Sequence, residues 1–355
     1  MKNIGIVTIT GGSNYGNRLQ NYALQHYIEE NFECTIATLK NESQTLSSII
    51  KKILVKEQET KKAQRFKEFN KKYINFSKLS INNFTKSKDI LDYDVLICGS
   101  DQIWNSSFRE NDRANFGYFY PQQFVISYAA SFGTEKVDSS KKRKYKKYLK
   151  HLKYISVRED SGKKIVKELT NNDDVEVLVD PTMLLTSNEW DKIAKKPKQL
   201  KEEKYILCYF LGDINAKDKQ VIETFAKKYN YKIIDIMNPK SEYANCNPNE
   251  FLYLEKNAYM ICTDSFHSAI FAILYQRPFF VFNRNYGKLK NMSSRLETLL
   301  TKFALENRKF SGKITEENLK CDYAEAYMIL EKERLKSYNF LKKALPIKER
   351  RNHEQ

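Results

Sequence analysis

Five short segments collect residue types that can handle anions, protons and hydroxyls: Ser13-Asn14-Tyr15-Gly16-Asn17, Gly99-Ser100-Asp101-Gln102, Ser131-Phe132-Gly133, Arg158-Glu159-Asp160 and Asp264-Ser265-Phe266-His267. His267 follows an apolar run and opens the next helical pattern. A histidine there, beside an aspartate and two serines, can exchange a proton with a substrate. The alternative reading is a histidine that caps its own helix. Arg158 ends another apolar run, where packing has no use for a guanidinium. Its planar, permanently charged fork suits a carboxylate or a phosphate; an ion pair with Glu159 or Asp160 is the alternative. Trp104 is either a core residue or an aromatic platform for a sugar. The glycines of the first segment fit neither the GxGxxG nor the Walker A spacing. They let backbone N–H groups and a helix N-terminus approach an anion, or simply make a tight turn capped by Asn14 or Asn17.

The elements that carry these segments alternate. Residues 4–9 read as a strand, and Leu19, Tyr22, Ala23, Tyr27 and Ile28 recur at helical spacing after the glycine turn. Further strands are predicted at 35–39, 94–98, 124–129, 154–157 and 175–179. A second series follows at 205–211, 232–236, 259–263 and 279–282, with helices between. Such alternation implies an α/β fold with parallel sheets in both halves. Each chemical segment then falls at the carboxyl end of a strand, where open α/β sheets bind ligands. The charged stretch 195–204, broken by Pro197, is the predicted linker, giving an N-terminal domain over 1–198 and a C-terminal domain over 199–322. Residues 46–88 are lysine-rich and read as a helical insertion with Phe66, Phe69 and Tyr73 on one stripe. Residues 323–355 hold a long amphipathic helix (Met328, Leu330, Leu335, Phe340, Leu341) that could pack back on the first domain.

Composition narrows the setting. The chain has 355 residues, 41% of them hydrophobic, enough for two cored domains. Lys and Arg outnumber Asp and Glu by 61 to 44, a net +17 that raises the local concentration of anions. No aromatic-basic motif of a nucleic-acid module accompanies that charge, so no nucleic-acid partner is expected. The six cysteines have no metal spacing and sit mostly in apolar runs, the usage of a reducing compartment. No metal site is expected from them. The first residues read as a strand entry and not as a signal peptide, and no apolar stretch is long and uncharged enough to span a bilayer. The expected location is cytoplasmic, with any membrane contact peripheral.

The segments NYGNRLQNYALQ (14–25), DYDVLICGSDQIWN (92–105), ISYAASFG (126–133), ISVREDSG (155–162), VDPTMLL (179–185), the run 247–282 and SSRLETLL (293–300) occur in an order that resembles the polysaccharide pyruvyl transferase family. The resemblance implies two Rossmann-like domains facing across a cleft, as in the GT-B glycosyltransferases. It implies transfer of pyruvate from phosphoenolpyruvate to two hydroxyls of a sugar, in a surface polysaccharide or its lipid-linked precursor, giving a cyclic ketal and phosphate. It makes His267 the general acid/base and Arg158 the donor-anion contact. Substrate contacts would come from Asn14, Tyr15, Gly16, Asn17, Arg18, Gly99, Ser100, Asp101, Trp104, Ser131, Ser265, Phe266 and Arg295. No cofactor is required beyond the donor substrate, and no carboxylate cluster demands a divalent ion. The basic surface would serve an acceptor held at an anionic membrane face.

Two positions depart from the family pattern. Some members carry arginine two residues before the histidine, where this chain has Ser265, so that cation is lost or supplied elsewhere. Many members have a small apolar pair where this chain has Asn17-Arg18; Arg18 either restores positive charge or sits on the helix surface. A nucleotide-sugar glycosyltransferase and a catalytically silent scaffold member are the alternative functions.

Overall fold

A computed structural model describes residues 1–41, 60–90, 93–107, 112–201, 204–284 and 294–350. The chain divides into two compact units, Met1–Leu184 with Glu333–Gln355, and Leu185–Lys332. The division falls at Leu184/Leu185, ahead of the charged stretch 195–204. Trp190 packs edge-on to Phe271, and the Lys195 N–H donates to the Asn249 carbonyl at 2.9 Å, so this part of the chain is tied into the second unit.

The first unit is built on a five-stranded parallel sheet with order β3-β2-β1-β4-β5: β1 Lys2–Val7, β2 Cys34–Asn41, β3 Phe76–Ile81, β4 Val95–Cys98 and β5 Val125–Ser127. A two-stranded parallel pair, β6 Ile155–Val157 and β7 Val175–Val177, continues it through single bridges from Ile126 to Tyr154 and from Ala130 to Val157. All four residues of β4 are buried, as in a parallel strand covered on both faces. The helix Tyr15–Asn31 starts where the Asn14 side chain accepts the Asn17 N–H at 3.1 Å.

β3 corrects the expected helical insertion. Its burial alternates along Ser77, Leu79 and Ile81, and it pairs with β2 at the sheet edge. The helix Lys61–Tyr73 is present, with Phe66 and Phe69 buried; residues 46–59 of the expected insertion lie outside the described residues.

The second unit has a four-stranded parallel sheet of order β11-β10-β8-β9: β8 Tyr205–Tyr209, β9 Lys232–Asp235, β10 Met260–Thr263 and β11 Phe279–Val281. Its helices are sharply delimited. Asn247 and Glu250 form a capping box with Pro248 in the first turn of Pro248–Asn257, and Asn230 closes Ala216–Tyr229 in the left-handed conformation.

The helix Ala324–Ala344 spans the division at Lys332/Glu333. Within the first unit, Arg334 Nε donates to the Met183 carbonyl at 2.8 Å and Lys336 Nζ to that of Val177 at 2.9 Å, and Phe340 and Leu341 are buried; Leu330, before the division, is buried as well. Met328 and Leu335, expected on the same apolar stripe, are 62% and 61% exposed.

Candidate functional site

Both sheets reverse their strand order once; the segments after β1, β4 and β10 stand at those reversals, while 131–133 and 158–160 follow β5 and β6. In the first unit the reversal lies between β1 and β4. There the loop after β1 and the turn after β4 open beyond the strand ends, the place where this architecture binds ligands. In the second unit it lies between β8 and β10, where the Leu211 and Gly212 N–H groups donate to Asp264.

The turn after β4 is tightly specified. Gly99 has φ 135°, and a Cβ there would meet the Tyr128 carbonyl oxygen at 2.1 Å, so only glycine fits. The Gly99–Ser100 peptide is cis, and Asp101 and Ala129 hold left-handed φ values of 68° and 44°. Non-glycine residues in that region cost about 1–3 kcal/mol each and persist only where surrounding contacts over-determine them. Those contacts are visible. The Ser100 N–H donates to Gln20 Oε1 at 3.1 Å, and Ser100 Oγ donates to the Ala129 carbonyl at 2.6 Å. Asn17 Nδ2 donates to Asp101 Oδ2, and the Gln102 N–H to Asp101 Oδ1 at 2.8 Å.

Arg158, at the end of β6, is buried with its guanidinium paired to Asp180 and, at 3.3 Å, to Asp101. Burial alone would lower its pKa; Asp180, Asp101 and Glu159 outweigh that and raise it. Its ion pairs are to Asp180 and Asp101, distant in sequence, with the adjacent Glu159 adding to the field, and the arginine charge is matched inside the fold. Glu159 instead pins the 131–133 turn. Its Oε1 accepts from Ser131 Oγ at 2.8 Å and from the Phe132 and Gly133 N–H groups. Arg18 is wholly buried and not on the helix surface. It donates to the Gly11 carbonyl at 2.7 Å and the Ile9 carbonyl at 3.4 Å, and burial lowers its pKa to about 10 against the opposing pull of Asp101.

Two expected aromatic contacts belong to the core. Trp104 is fully buried, stacks on Phe116 with ring centroids 4.8 Å apart, and gives its indole N–H to the Asn115 carbonyl. No face of it is open to a sugar. Tyr15 is likewise buried against Phe66, and Gly16 lies inside the first helical turn.

In the second unit His267 is the second residue of the helix Phe266–Leu274, and the N-cap position belongs to Ser265. The helix-cap reading of the histidine is thus set aside. Its imidazole lies edge-on to Phe266, centroids 5.4 Å apart. Asp264 does not orient it. That carboxylate accepts from the Leu211 and Gly212 N–H groups at 2.7 and 2.9 Å and from Arg284 Nε at 2.7 Å. Arg295 places its guanidinium 5.7 Å from the Phe266 ring centroid. Two arginines from later in the chain therefore flank the turn where Ser265 stands without a cation of its own. Arg284 carried no sequence signal, since its neighbours form no motif.

Among the described residues no group of three or more His, Cys, Asp or Glu side chains could hold a metal ion. No described helix is long and apolar enough to cross a membrane.

Solved structures that resemble the chain include S. aureus MnaA with UDP, at TM-score 0.52 and 12% identity over 94% of this chain and 90% of that one. A structure assigned to a UDP-N-acetylglucosamine 2-epimerase of Listeria monocytogenes matches at TM-score 0.52 and 8% identity over 96% and 90%. At these identities the likeness establishes the fold, two Rossmann-like α/β units of the GT-B type. No curated protein matches the sequence. The family model for polysaccharide pyruvyl transferase matches residues 14–286. That span runs from the Asn14 cap through both strand-order reversals and His267, and the chain belongs to the polysaccharide pyruvyl transferase family.

Proposed function

We propose that the protein moves pyruvate from phosphoenolpyruvate onto two hydroxyls of a sugar, in a surface polysaccharide or its lipid-linked precursor. The observation that carries this reading is His267 in the first turn of the helix after β10, at the β8/β10 reversal, in a chain of this family. A proton added at C3 of the enol turns the methylene into a methyl and leaves positive charge at C2. One sugar hydroxyl adds to C2 and the second displaces phosphate, closing the ketal. Of the two hydroxyl protons, one balances the proton gained at C3 and the other leaves with phosphate. His267 moves these protons. Arg295 and the N-terminus of the helix Phe266–Leu274 offer positive charge to the departing phosphate. Arg158, already matched by two carboxylates, holds Asp101 and the 99–101 turn in place.

Incubation with phosphoenolpyruvate and a panel of free and lipid-linked sugars should release phosphate and add the mass of pyruvate less water to the acceptor. His267→Ala should abolish turnover by at least about 100-fold while leaving donor affinity within a few-fold. Turnover of a nucleotide sugar with no phosphate released from phosphoenolpyruvate would replace this reading with glycosyl transfer.

A further inference from the structure

The net charge of the chain is not spread evenly. Residues 139–154 contain eight Lys and Arg and no Asp or Glu, against a whole-chain excess of 17. This stretch forms the helix Lys142–Leu149 in the first unit and the turn that leads into β6. Tyr145, Tyr148 and Leu149 are buried on one side. On the opposite side Arg143, Lys146, Lys147 and Lys150 recur at i, i+3, i+4 and i+7, one continuous exposed face. Lys142 pairs with Glu168, and Lys141 and Lys144 pair with Asp112, so the flanking lysines are neutralised by the fold. Among the described residues no ion pair engages the four outward cations.

An apolar group sits at the end of this stripe. Phe124 is 37% exposed and is held there from both sides: Gln122 Nε2 donates to the Lys150 carbonyl at 3.2 Å, and the Lys153 N–H to the Val125 carbonyl at 2.8 Å. Lys153 lies over the Tyr154 ring at 5.5 Å and Lys147 over Tyr118 at 5.2 Å. Long cationic side chains beside partly exposed aromatic rings suit a surface that is anionic outside and apolar just beneath. We propose that this face, Arg143, Lys146, Lys147, Lys150, Lys153 and Phe124, docks the protein on an anionic lipid bilayer. Phe124, Lys150 and Lys153 border the N-terminal ends of β5 and β6, whereas the chemical segments of this unit stand at the C-terminal ends. Docking therefore leaves that edge uncovered. The inference does not rest on pyruvyl transfer, and either can fail alone.

The test is co-sedimentation of the full chain with phosphatidylcholine vesicles, plain or carrying about one third phosphatidylglycerol. Binding is expected only to the anionic vesicles and should weaken as salt rises. Replacing Arg143, Lys146, Lys147 and Lys150 together with Gln should weaken it at least about 100-fold, and Phe124→Ser should weaken it several-fold. The control replaces Lys217, Lys219, Lys227 and Lys228, all exposed on the helix Ala216–Tyr229, which changes net charge equally and should leave most of the binding. Equal losses in the two quadruple variants would reduce the effect to net charge and overturn the proposal, as would absence of sedimentation at low salt. Duplex DNA bound more tightly than the vesicles, and lost in the same variant, would assign the face to nucleic acid instead.

Discussion

Arg158 is buried with its charge met by Asp180 and Asp101, so its removal takes the paired cation from two buried carboxylates. Breaking such a pair costs about 3–5 kcal/mol. Arg158→Ala is therefore expected to lower the urea midpoint by that equivalent, whatever it does to catalysis. A stability loss below about 1 kcal/mol combined with a raised KM for phosphoenolpyruvate would make it a donor contact instead. At this scale residue type was legible in the sequence and residue company was not. An arginine after a strand announces an anion, yet Asp180 lies 22 positions away and Asp101 lies 57, and only the sheet brings them together. The same holds for Asp264, three residues from His267 and turned instead to Leu211, Gly212 and Arg284. Trp104 misleads for a related reason: its flanking segment is polar, and the ring it stacks on comes from Phe116.

The helix Phe266–Leu274 carries His267 and is braced from below by Glu255 of the helix Pro248–Asn257, whose Oε1 accepts from Ser268 Oγ at 2.6 Å. Burial raises the Glu255 pKa well above the ordinary carboxylate range, against the opposing pull of that hydrogen bond. A raised folded-state pKa contributes stability below the unfolded value, about 4.3, and loses it as pH climbs towards the folded one. Glu255→Gln keeps an acceptor for Ser268 and cannot ionise. It should abolish this part of the decline, so that urea midpoints of variant and wild type diverge as pH rises from about 4 to 8, the variant becoming relatively more stable. Parallel curves would show that Glu255 ionises freely in the fold. Elements with strong periodicity, such as the helix Ala216–Tyr229 or the buried β10, follow directly from their residues. β3 does not, because six residues of modest alternation follow a lysine-rich helix and only the open edge of β2 makes them a strand. Met328 and Leu335 fit a helical stripe by spacing, but burial is decided by what the helix packs against.

Taken whole, the molecule has one unit that is continuous in sequence and one that is not. Leu185–Lys332 contains its own sheet and its own buried core, including Ile206, Phe225, Met260 and Phe280. The first unit needs Glu333–Gln355: Phe340 and Leu341 enter its core, the Glu33 N–H donates to the Lys348 carbonyl at 2.8 Å, and the Arg350 N–H to that of Asn31 at 2.8 Å. Expressed separately, residues 185–332 should unfold cooperatively in urea, whereas residues 1–184 should aggregate or lack a cooperative transition until 333–355 are supplied. A cooperative transition from 1–184 alone would make the C-terminal segment dispensable to that fold. This division has a consequence for synthesis on the ribosome. The unit begun by the first residues to emerge cannot be completed until residue 333 and those after it have left the exit tunnel, roughly 15–70 s later at ordinary elongation rates. The second unit, though later in the chain, is the first that can finish. Nascent chains halted before that point would carry an open apolar face, and the cell must shelter it or lose the product to aggregation.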